Sequence, residues 1–111
     1  MIEALILTYL NAQLTEPVFL EKPAITPNRY ILFEKTGSGR SNGLLSSSFA
    51  FQSYAESLYE AAVLNGKAKD AVDSLITLDE IGSVKLNSDY NFTDTVTKKY
   101  RYQAVYDIKH Y

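Results

Sequence analysis

The sequence predicts a small domain that mixes helix with sheet, and three stretches carry that prediction. Leu45 to Tyr54 alternates like a half-buried strand, the segment from Ser57 to Leu75 repeats apolar residues at helical spacing, and the chain from Tyr100 to Lys109 alternates again. At 111 residues and 12.5 kDa the chain suits one domain with a modest core. An apolar fraction of 46% argues against disorder, and a charged fraction of 22% is ordinary for a soluble protein. The net charge of -2 argues against tight, sequence-independent binding to nucleic acid, which relies on clustered Lys and Arg. Without cysteine, neither a disulfide framework nor a thiolate zinc site is available. Met1 to Leu10 carries Glu3, lacks a basic leader and falls short of the about 20 apolar residues that span a bilayer, so the expectation is no signal peptide and no membrane anchor.

Taken in order, Ile2, Leu5, Ile6, Tyr9, Leu10 and Leu14 form one helical stripe, which Pro17 stops. Val18-Phe19-Leu20 is a short extended piece, and Pro23 and Pro27 hold the next segment out of helix as a stiff surface linker. Arg29 to Lys35 is rich in β-formers, with Ile31 and Phe33 on one face and Tyr30 and Leu32 on the other; a strand apolar on both faces is expected in the middle of a sheet. Thr36 to Leu44 has three glycines and an Asn42-Gly43 turn signal, which predicts a long hairpin loop.

The organising strand puts Leu45, Ser47, Phe49, Phe51 and Ser53 on one face and Ser46, Ser48, Ala50, Gln52 and Tyr54 on the other. Ser57-Leu58-Tyr59-Glu60 then predicts a reciprocal capping box opening a helix. Its buried stripe is Leu58, Ala61, Ala62, Leu64, Ala68, Ala71, Val72 and Leu75, with a bend or early end expected at Asn65-Gly66. Ile81 to Leu86 returns to the sheet. Asn87 to Lys99 is polar and reads as a second loop or arm before the long closing strand.

Candidate chemistry is sparse. Gly37 to Gly43 lacks the spacing of a phosphate loop, since Asn42 stands at the sixth position and a strand follows. Arg40 is the residue there able to meet a carboxylate or phosphate. Asp89 to Asp94 echoes a calcium loop but lacks its central glycine, and Tyr100 takes the twelfth position, so no metal site is expected. Asn91-Phe92-Thr93 matches a glycosylation acceptor with nothing to direct the chain to a secretory route. The single histidine, His110, would need tertiary placement beside Asp107 or a serine to act as a base. Lys98, Lys99 and Arg101 form a short basic cluster diluted by Asp94 and Asp107. Nine tyrosines, four of them between Tyr100 and Tyr111, suit surfaces that are half dry and half wet. The residues alone thus give no catalytic centre and no cofactor; a small-ligand-binding domain with a pocket between helix and sheet is the reading of a different class.

Across most of its length the chain resembles the tail-completion, or tail-terminator, proteins of long-tailed bacteriophages. The resemblance lies in the short first helix, Glu21-Lys22-Pro23 to Pro27-Asn28-Arg29-Tyr30, and the strand ending Phe33-Glu34-Lys35-Thr36-Gly37. It continues in Phe49-Ala50-Phe51-Gln52-Ser53-Tyr54-Ala55 running into Glu60-Ala61-Ala62, and in the closing Tyr102-Gln103-Ala104-Val105-Tyr106-Asp107. It implies an α+β fold, two helices on one face of a mostly antiparallel sheet. It also implies a homo-hexameric ring in the virion, assembled in the host cytoplasm at the head-proximal end of the tail tube. Such a ring ends tube growth and joins a head-completion or connector protein, with DNA only passing through. A head-side connector or stopper is the neighbouring alternative. On this reading Arg40 and Asn42 in the first loop, and Asp89, Tyr90 and Asp94 in the second, are the expected protein-docking residues.

Overall fold

Alternation makes the stretch Leu44–Ala55 the central strand of a five-stranded sheet, with two helices stacked on one of its faces. The computed structural model describes the backbone of residues 1–111 and every side chain except that of Ser41. In chain order the elements are α1 (Ile2–Gln13), β1 (Val18–Phe19), β2 (Tyr30–Ser41), β3 (Leu44–Ala55), α2 (Leu58–Asp73) with a 3-10 turn (Ser74–Thr77), β4 (Ile81–Asn91) and β5 (Tyr100–His110). The sheet order is β1-β2-β3-β5-β4, antiparallel throughout except for the two-residue parallel pairing of β1 with β2. This is the expected α+β architecture.

The core lies between sheet and helices. Phe33, Phe49, Phe51, Tyr106 and Ile108 from the sheet meet Ile6 and Leu10 of α1 and Leu64, Ala68 and Val72 of α2. Small residues at Ala61, Ala68 and Ala71 let α2 settle close over the bulky sheet side chains. No helix is long and apolar enough to cross a membrane.

Several expectations need correction. Thr36 to Leu44 is not a long loop. β2 continues to Ser41 opposite β3, and the chain reverses in two residues, Asn42 at φ 51° and Gly43 at φ 79°, the left-handed pair of a tight hairpin turn. Its glycines and serines sit in a ladder whose register is set by that turn, with a bulge between Lys35 and Gly37. β2 lies inside the sheet by strand order, as expected, but β1 covers it only at Ile31 and Leu32, so from Phe33 onward its other edge is open. Asn87 to Asn91 belongs to β4, an edge strand whose polar residues reflect its solvent exposure.

α2 passes through Gly66 without a break, because burial of Leu64, Ala68, Ala71 and Val72 outweighs the weak propensity of a single glycine. Of its predicted stripe, Leu58 is exposed and Asn65 is buried instead. The capping box forms by half. Ser57 Oγ accepts from the Glu60 amide at 3.1 Å, but the Glu60 carboxylate turns to Arg29 Nη1 at 3.0 Å, and Arg29 also binds Glu56. That cluster fastens the end of the proline-bounded linker to the start of α2.

Candidate functional site

Because the helices take one face, the other is left without a helix; this open face carries the alternate registers of four strands, and Tyr30, Ala50 and Gln103 on it are nonetheless buried. Tyr30 of β2 opposes Tyr54 of β3, Tyr54 opposes Arg101 of β5, and the amide of Phe92 just past β4 binds the Arg101 carbonyl at 2.9 Å. The result is a continuous row. The Tyr30 and Tyr54 rings stack at 4.6 Å and 6°, and the Arg101 guanidinium lies 5.6 Å from the Tyr54 ring centre and 4.4 Å from that of Phe92. Tyr90 closes on Phe92 edge to face at 5.8 Å.

A second row runs beside it. Gln52 Nε2 donates to Gln103 Oε1 at 2.8 Å, Gln103 Nε2 donates to the Tyr90 hydroxyl at 2.5 Å, and the Tyr54 hydroxyl donates to Gln52 Oε1 at 3.1 Å. Arg101 links the rows, giving Nη1 to the Tyr54 hydroxyl at 2.8 Å and Nε to the Phe92 carbonyl at 2.7 Å. The side chains of these two rows are therefore hydrogen-bonded to one another, while Tyr90 and Phe92 keep 41% and 40% of their surface exposed. Fixed tyrosine, arginine and amide groups on a shallow surface match the composition of protein contacts.

The structure separates the docking residues expected from sequence. Arg40 and Asn42 stand exposed at the β2–β3 turn. Leu45 opposes His110 while Ala55 opposes Tyr100, so the β4–β5 connection with Asp94 lies at the far end of strands about 35 Å long. Tyr90 belongs to the open face. Asp89 points the other way, to α2, where it accepts from Asn65 Nδ2 at 2.7 Å and Lys69 Nζ at 2.5 Å. Asp94 shapes its own turn, accepting from the amides of Val96 at 3.0 Å and Thr97 at 3.3 Å, and these bonds hold its carboxyl below the usual range. The run Asp89 to Asn91 is extended, so its oxygens alternate between faces and do not wrap one centre.

His110 does meet a serine: its Nε2 lies 2.9 Å from Ser47 Oγ, both side chains buried, with Nδ1 3.4 Å from the Tyr111 carbonyl. Asp107 faces the opposite side, where Asn87 Nδ2 and Ser48 Oγ donate to it at 3.0 and 2.7 Å. The basic cluster is joined by Lys22, whose ammonium stands against Lys99 and is held below the ordinary lysine value by it. Sequence reasoning missed Arg101 as the hub of the open face. Its signal was the alternation that put Tyr54 and Arg101 each on the polar side of its strand.

A scan against protein-family models and a search of curated proteins found no match to this chain.

Proposed function

We propose that this chain is a ring-forming structural subunit that caps the head-proximal end of a bacteriophage tail tube, ends its growth and offers the surface on which the head docks. The observation that carries the reading is the pair of open sheet edges. β2 from Phe33 to Ser41 is one, β4 the other, and the two strands run in opposite directions on opposite sides of the same sheet. A β2 edge laid against the β4 edge of a second copy continues the antiparallel alternation. It keeps all helices on one side and all open faces on the other. Such a contact is head-to-tail, and it closes into a ring when the rotation per subunit divides a full turn. Six copies is the number the resemblance implies. The 43 Å long axis and the two hairpin ends, Arg40 and Asn42 at one and Asp94 at the other, give such a ring two rims, one for tube and one for head.

The edge contact has a direct test. The Ile31 amide donates to the Pro17 carbonyl, away from β3; by alternation Phe33 and Lys35 aim the same way, and past the bulge so do Ser38 and Arg40. Ser38→Pro therefore removes an edge donor and leaves the β2–β3 ladder intact. Electron microscopy of purified protein on tail tubes should show closed rings for the parent chain and none for folded S38P. Rings formed equally by S38P, or no association of the parent chain with tubes, would contradict the reading.

A further inference from the structure

At the turn end of the sheet an open cleft of about 450 Å³ is lined by Lys35, Ser38, Arg40, Leu45, Ser47 and His110 among others. The pairings Lys35 with Phe49, Ser38 with Ser47, and Arg40 with Leu45 and on to His110 set these residues on the helix-side face of adjacent strands. The floor is shielded: Ser47 is 2% and His110 5% exposed, and a 2.9 Å hydrogen bond joins them. None of the lining side chains is acidic. Lys35 forms a 3.6 Å salt bridge with Glu3 of α1, whereas Arg40 has no carboxylate partner among the described residues. Arg40, with Lys35 beside it on the same concavity, gives the cleft a positive field that attracts an anion.

We infer that this cleft binds a phosphate group. Arg40 supplies a two-pronged guanidinium, Lys35 an ammonium and Ser38 a hydroxyl, three donors of different geometry set around one concavity. A carboxylate keeps its acceptor sites close to one plane, where a single guanidinium already engages both oxygens. A tetrahedral oxyanion has further oxygens for Lys35 and Ser38, so the arrangement favours phosphate over carboxylate. The inference does not rest on the ring proposal; it requires only the folded chain.

The test is a two-dimensional amide NMR titration of the intact protein with inorganic phosphate at constant ionic strength. Saturable shifts confined to residues 38–40, 47 and 110 are expected. Affinity should fall roughly tenfold or more in Arg40→Gln, as expected for loss of a charged hydrogen bond. Lys109→Gln is the control, because Lys109 is an exposed cation on the opposite face beside Ser46 and its loss should leave binding unchanged. A parallel titration with dimethyl phosphate reports the source: binding there at the same residues marks a phosphodiester such as a nucleic-acid backbone, and its failure beside bound inorganic phosphate marks a free phosphate or a monoester. Shifts that never saturate, that persist at full strength in R40Q, or that centre on Lys22, Lys98 and Lys99 would overturn the inference.

Discussion

Arg101 and Tyr54 are joined twice over: the Arg101 Nη1 donates to the Tyr54 hydroxyl at 2.8 Å, and its guanidinium carbon sits 5.6 Å from the centre of the same ring. The pair spans β3 and β5, and through Phe92 and Tyr30 it fixes the end of the open face nearest the β4–β5 connection. Removing the hub in Arg101→Ala should cost about 1–2 kcal/mol, the sum of a cation–π contact and a charged hydrogen bond, measured by urea unfolding. Arg101→Lys should recover only part, since an ammonium cannot reproduce the planar fork.

The tie between β4 and α2 separates two kinds of bond. Asn65 is 4% exposed and its Nδ2 is satisfied by Asp89, whereas the Lys69 partner of Asp89 is partly in solvent. Asp89→Ala leaves a buried amide without its acceptor and should cost about 1–3 kcal/mol. Lys69→Ala should cost less than about 1 kcal/mol, and added salt should erase its effect but not that of D89A.

Two glycines should respond with opposite sign. Gly66 lies inside α2, and a methyl group added at its Cα would meet nothing within 4 Å, so Gly66→Ala should stabilise by about 0.5–1 kcal/mol. Gly43 has φ 79° in the hairpin turn, and Gly43→Ala should destabilise by about 1 kcal/mol. Thermal melting midpoints of the two variants check both.

Acid should weaken the sheet through Asp107. Hydrogen bonds from Asn87 and Ser48 hold its carboxyl below the ordinary value of 3.8, against the opposing effect of burial. A folded-state value below the unfolded one means that this stabilisation is complete above 3.8 and is lost as pH falls through the lower folded value. Asp107→Asn should therefore be less stable than the parent chain near neutrality. The gap in urea midpoint should close in acid; a gap independent of pH would refute the assignment.

Local signals were legible in the sequence. Alternation in Leu45 to Tyr54 and Tyr100 to Lys109 and the Ser57 cap depend on near neighbours, and the structure carries them. Thr36 to Ser41 was illegible because glycine and serine composition marks loops, while pairing across a two-residue turn is a property of both strands together. Asn65-Gly66 read as a weak point since the partner that makes Asn65 a buried donor, Asp89, lies 24 residues away. The open face was hidden for the same reason: Tyr30, Tyr54, Phe92 and Arg101 meet only once the strand order is known.

The length of tails made by a phage that lacks this chain tests the cap proposal most directly. Over-long tails of varied length that fail to join heads are expected, with filled heads accumulating apart. Tails of normal length in infectious particles would contradict the proposal, and tails of normal length beside filled heads that leak DNA would move the chain to the head side of the junction.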